Sequence, residues 1–184
     1  MRKEQAVNKT RTITLAAFVL SLCIICIMLF RGSMSIMSSL LIPPLIAVFS
    51  LNQKKIYWLY VTLGLILTVS VLFNTQIIFV SGYILLALAL RYLMAGRDSN
   101  INTGFFNSAA YIILSMAVII LGIMLTEKVF LIPLHSMMLR ISGGKLVVYT
   151  GIIFVESALI FISNIMIFKL LFSKLKKFMM GVER

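Results

Sequence analysis

Six long apolar stretches, separated by short polar breaks, run almost the whole length of this 184-residue chain. A bilayer's hydrocarbon core takes about 20 helical residues to cross, with roughly 17 to 25 tolerated. On that measure the pattern predicts spans over about 12–30, 35–51, 56–73, 77–95, 105–125 and 146–168. The second holds Pro43-Pro44, which predicts a kink or a break near its middle. Tyr57, Trp58 and Tyr60 open the third as aromatics suited to a membrane interface. Residues 127–145 break the pattern. There Val129-Phe130-Leu131-Ile132 give way to Pro133, His135, Arg140 and Gly143-Gly144, too short and too polar to span. An amphipathic interfacial or re-entrant segment is expected between the fifth and sixth helices. The predicted fold is an all-α membrane protein of six transmembrane helices, one integral membrane domain over 1–184.

Composition agrees with lipid as the solvent. Hydrophobic residues make up 61% of the chain and the mean hydropathy is +1.10, more apolar surface than a water-soluble fold of this size can cover. Seventeen Lys+Arg stand against five Asp+Glu, a net charge of +12. In a soluble protein that excess points to nucleic acid. Here the cations cluster just outside the apolar runs, where they meet lipid headgroups, and no nucleic-acid partner is expected. With the N-terminus inside, the inner segments hold Arg2, Lys3, Lys9, Arg11, Lys54, Lys55, Arg91, Arg97, Lys169, Lys174, Lys176, Lys177 and Arg184. The outer segments hold only Arg31, Lys128, Arg140 and Lys145. The positive-inside rule then puts both termini in the cytoplasm. The basic start followed by Ile13–Phe30 imitates a signal peptide, but the run is long and ends in Arg31-Gly32-Ser33 without a small-residue cleavage pattern, so it reads as a retained first helix. Asn74-Thr75-Gln76 forms a tight outer hairpin, and Gly96-Arg97-Asp98-Ser99-Asn100 begins an inner polar loop that runs to Thr103. No internal repeat is visible, which leaves an inverted-repeat transporter unsupported. The Ile-, Lys- and Met-heavy usage points to a low-GC bacterium and hence to a bacterial plasma membrane.

Few residues carry chemistry. Glu156 is the one acid deep inside an apolar run, about 15 Å from the start of the last span at ~1.5 Å per residue. An ionised acid at that depth costs on the order of 3 kcal/mol, so Glu156 is expected to face protein or a water-filled cavity. Ser163 and Asn164 extend a polar stripe from it. The stripe serves either as a substrate contact or as a neutral, hydrogen-bonded register device between helices. Arg31 at the outer mouth either snorkels to headgroups or clamps an anionic ligand. Asn74 and Gln76 read as ordinary hairpin residues by default, with facing an outer ligand as the other reading, and His135 alone makes no metal site. Cys23 and Cys26 read as small packing residues. Methionines such as Met34, Met37, Met137 and Met138 could line an adaptable apolar pocket at the outer mouth. Thr14, Ala17 and Ser21 line one face of the first helix, a groove that lets another helix approach, with packing inside the chain its ordinary use and a partner the other. No H-E-x-x-H, G-x-S-x-G or Walker loop occurs, so neither an enzyme nor a cofactor is expected.

The length, six spans, inner termini, basic start and small-residue face together resemble the substrate-binding S component of energy-coupling factor (ECF) transporters. Thr14-Leu15-Ala16-Ala17-Phe18-Val19-Leu20-Ser21, Leu41-Ile42-Pro43-Pro44-Leu45 and Gly82-Tyr83-Ile84-Leu85-Leu86 are its local points of likeness. That resemblance implies capture of a vitamin or similar scarce compound in the outer half of the bundle, a coupling transmembrane subunit and two ATPases as partners. Ala17 and Ser21 would then lie on the coupling face, and Glu156, Asn164, Arg31, Asn74 and Gln76 would touch the small-molecule ligand. The chain departs from that family in having no glycine in Ser50–Lys55. The same layout is similar to MreD-like and YybS-like membrane proteins, which implies a non-transporting scaffold instead.

Overall fold

The computed structural model describes residues 2–30, 35–51, 55–94 and 105–182. Those residues form seven α-helices: α1 (Arg2–Leu29), α2 (Ser35–Ser50), α3 (Lys55–Leu72), α4 (Ile77–Met94), α5 (Phe105–Phe130), α6 (Leu134–Ile141) and α7 (Leu146–Val182). No strand occurs among them. Arg31, the inner loop from Gly96 to Thr103 and most of the turn before Lys55 lie outside the described residues.

Four stretches are long and apolar enough to cross a membrane: Thr12–Leu29, Asn74–Met94, Phe105–Phe130 and Leu146–Lys174. Two shorter apolar helical stretches, Met37–Ser50 and Tyr57–Leu72, accompany them. The exterior is apolar as well: Phe18, Leu67, Ile113, Phe154 and Met166 are all more than half exposed. That arrangement is compatible with a multi-pass membrane protein and opposite to what water selects. Within the α4 stretch 44% is buried, against 22% to 28% in the other three, which marks α4 as central.

Packing follows from that. α2 and α4 form the most extensive pair; α1 packs on α2 and α3, α3 and α5 pack on α4, and α7 closes against α2 and α5. Two apolar clusters share the central pair. One joins Ala16, Val19, Cys23 and Ile27 of α1 to Ile42 and Ile46 of α2, Val61, Leu65 and Val69 of α3, and Val80 and Ala87 of α4. The other joins Ala47 of α2, Leu86 and Leu90 of α4, Tyr111 and Val118 of α5, and Ile160 and Phe168 of α7. In α1 the buried positions recur three and four residues apart, the period of a single helix face. Cys23 and Cys26 are free thiols, the first buried on that face.

Of two sequence expectations, one narrows and one changes here. Of the kink or break expected in the second helix, the break does not occur: α2 is continuously helical through Pro43 and Pro44. Each proline withholds a donor from the carbonyl four residues back, yet both are buried in the centre of the bundle, where packing holds the helix together. Tyr57 and Trp58 are not a lipid-facing belt: they are 0% and 8% exposed. The Arg91 guanidinium, in the last turn of α4, lies 5.5 Å from the Trp58 ring centroid, a cation–π contact that ties the two helices.

Candidate functional site

The polar stripe on α7 divides in two. Glu156 and Ser163 are half-buried, whereas Ser157 and Asn164, one position round the helix, are fully buried. Asn164 Nδ2 donates to the Tyr111 hydroxyl at 2.8 Å, and the Tyr111 ring packs on Phe161 at 5.5 Å. One helical turn or so away, Ser115 Oγ donates to the Ile112 carbonyl at 2.9 Å and reaches the Ser157 carbonyl at 3.5 Å. These contacts key α5 to α7. Asn164 Oδ1 and Ser157 Oγ are buried without a partner among the described residues.

The other candidates do not converge on that face. Asn74 is exposed and Gln76 half-buried, in the one-turn 3-10 helix between α3 and α4. Glu156 and Asn164 stand about 12 Å apart along α7 at ~1.5 Å per residue. The Asn164–Tyr111 bond pairs α7 with α5, the kind of interhelical contact that fixes register.

The first helix reverses an expectation. Thr14, Ala17 and Ser21 are exposed, not packed inside the chain. The reason is competition between faces: Ala16, Val19, Cys23 and Ile27 carry more apolar bulk at the same period and take the core side. Thr14 Oγ1 donates to the Thr10 carbonyl at 3.0 Å and Ser21 Oγ to the Ala17 carbonyl at 2.9 Å. Both hydroxyls are thus turned back on their own helix, leaving a low-relief face without donors seeking partners.

A third polar cluster was not legible at the junction of α5, α6 and α7. α6 begins at Pro133, whose side chain gives no cap. Glu127 supplies it from α5: its Oε2 accepts the His135 backbone N–H at 3.0 Å, satisfying an otherwise orphaned donor of the first turn. His135 Nδ1 lies 3.4 Å from the Tyr149 hydroxyl, with the rings edge to face at 5.4 Å. At its other end α6 stops in a Schellman turn, Gly144 N–H to the Leu139 carbonyl at 2.8 Å and Gly143 N–H to the Arg140 carbonyl at 3.0 Å. Gly143 and Gly144 have φ of +63° and +73°, a conformation that glycine enters without steric cost. Glu127→Ala is expected to speed amide exchange across 134–141 by about tenfold, the loss of a ~1.4 kcal/mol cap, with Glu127→Gln milder because its amide oxygen still accepts. Unchanged exchange in the alanine variant would contradict the capping role.

Comparison with family models, with curated proteins and with solved structures finds no match to this chain.

Proposed function

We propose that the chain is a polytopic subunit of a bacterial plasma membrane that works by docking a partner membrane protein along the Thr14–Ala17–Ser21 face of α1. The exposure of that face carries the reading. Small residues let two helix backbones approach closely, and in lipid such packing is a main source of helix association. We place six crossings in the membrane, with both termini cytoplasmic, on the charge asymmetry of the segments between them. α2, with 16 residues, is at the short end for a span. Its burial between α1, α4 and α7 removes most of the lipid contact that a full-length apolar run serves.

Two settings share this docking face. The first is the S component-like importer subunit, with half-buried Glu156 of α7 as the group that meets a ligand. The second is the scaffold of the MreD-like or YybS-like kind, favoured by one observation: Asn164 is already bonded to Tyr111. The test is affinity purification of the full chain in mild detergent from its own membranes. Ala17→Leu with Ser21→Leu is expected to lower partner recovery by about tenfold, equivalent to ~1.4 kcal/mol of helix packing, with the chain's own melting unchanged. Equal recovery would remove α1 as the docking face. A co-purifying coupling subunit with ATPases, together with a thermal shift on addition of a vitamin, selects the importer; a partner without ATPases and no shift selects the scaffold.

A further inference from the structure

The seam between α5 and α7 opens sideways at the end of the bundle that carries α6. An open groove of about 440 Å³ lies there, lined by Met116 of α5 and Leu146, Val147, Thr150, Gly151 and Phe154 of α7. Its walls are almost wholly hydrocarbon, and the Thr150 hydroxyl is committed to the Leu146 carbonyl at 2.9 Å. Gly151 keeps the groove open, since a Cβ built there meets nothing within 4 Å. From Leu146 to Phe154 the slot runs about 12 Å along the helix at ~1.5 Å per residue.

The end of the bundle at which the groove begins is basic. Lys145 immediately precedes Leu146, Lys128 lies in the last turn of α5 and Arg140 in that of α6, and all three are exposed. Among the described residues Glu127 is the one acid at this end, and its carboxylate is held by the His135 amide. An apolar slot below an unbalanced cationic rim has the polarity of a phospholipid reversed in sign at the head. We infer that the groove holds one anionic phospholipid, an acyl chain between α5 and α7 and its phosphate against Lys145, with Lys128 and Arg140 adding to the attraction. A zwitterionic lipid fills the slot equally but gains less from the rim. A second copy of the chain would cover Val147 and Phe154 while leaving three cations facing each other's copies.

This inference rests on α5 and α7 spanning the membrane, which resistance of the full chain to carbonate extraction from membranes tests separately. The site itself is tested by native mass spectrometry of the full chain, delipidated in mild detergent and offered equal phosphatidylglycerol and phosphatidylethanolamine. The wild type is expected to retain one phosphatidylglycerol in about fivefold preference, the factor one basic residue supplies beside an anionic headgroup. Gly151→Leu, whose Cβ meets nothing within 4 Å and whose longer side chain enters the slot, is expected to reduce retention of both lipids by about tenfold. Lys145→Glu, at an exposed position, is expected to erase the preference and leave phosphatidylethanolamine binding intact. Equal lipid retention in the wild type and Gly151→Leu, no headgroup preference in the wild type, or a lipid-free dimer that Gly151→Leu dissociates would each overturn the assignment.

Discussion

Replacing Gly82 with alanine is expected to destabilise the fold by about 1–3 kcal/mol, the usual range for overpacking a filled site. A Cβ on Gly82 would overlap Val118 Cγ1 of α5. Val118 is almost fully buried, and its β-branched side chain has little rotamer freedom on a helix, so the backbones themselves must separate. The packing is reciprocal. Gly122 of α5 receives the Phe79 ring of α4, which would lie 2.7 Å from a Cβ there. Each helix thus offers a glycine as the hole for the other's side chain, the means by which backbones approach closely in lipid. The two sites differ in cost. Phe79 is half-buried and its ring can turn aside, so Gly122→Ala is expected to be the milder change. Thermal unfolding in detergent measures both. The decisive variant is Gly82→Ala with Val118→Ala, which removes the overlapping methyls and should recover most of the loss. Wild-type melting of Gly82→Ala, or no recovery in the double variant, would show that α4 and α5 are not in this contact.

How much of this was legible depends on what kind of signal each feature leaves. Helix existence was legible because apolar runs of span length leave lipid-soluble chain few alternatives to helix. The structure's helices start within one residue of five of the expected spans, and α1 alone begins well before its apolar run. Rotation of each helix was much harder to read. In a soluble protein an apolar stripe faces the core, but here lipid accepts apolar residues too, so Val19 and Phe18 look alike in the sequence while one is buried and the other 52% exposed. The same ambiguity hid the true polar row on α7. Glu156 drew attention by its charge, whereas Ser157, one residue on, shares a face with Asn164 seven residues later and is the buried one. Pro43-Pro44 pointed to a kink or a break, and no break occurs: the local rule about proline is an energy term of about 3 kcal/mol, and the burial of α2 among three helices outweighs it. Glu127 was missed because its partner is a backbone amide across a turn, a pairing that no spacing of side chains encodes.

Breaking the Asn164–Tyr111 bond from each side separately is expected to cost more in sum than breaking it from both at once. Both residues are buried, at 0% and 2% exposure, and the amide–hydroxyl distance is 2.8 Å. Asn164→Leu is close to isosteric but strands the Tyr111 hydroxyl, a loss of about 1–3 kcal/mol. Tyr111→Phe strands the Asn164 amide, whose Oδ1 already lacks a partner, and is expected to cost a similar amount. The double variant leaves neither partner of that bond unsatisfied, so its loss should fall below the sum of the two by about 0.6–1.7 kcal/mol, from the average to the largest interhelical hydrogen-bond coupling known for a membrane bundle. Unfolding of all four proteins in one detergent closes the cycle. The sign of the coupling also separates the two roles open to Asn164. A helix-pairing amide gives a positive coupling and leaves any retained small molecule unchanged. An amide whose first duty is a ligand gives additive stability losses, and in that case Asn164→Leu releases the ligand while Tyr111→Phe does not.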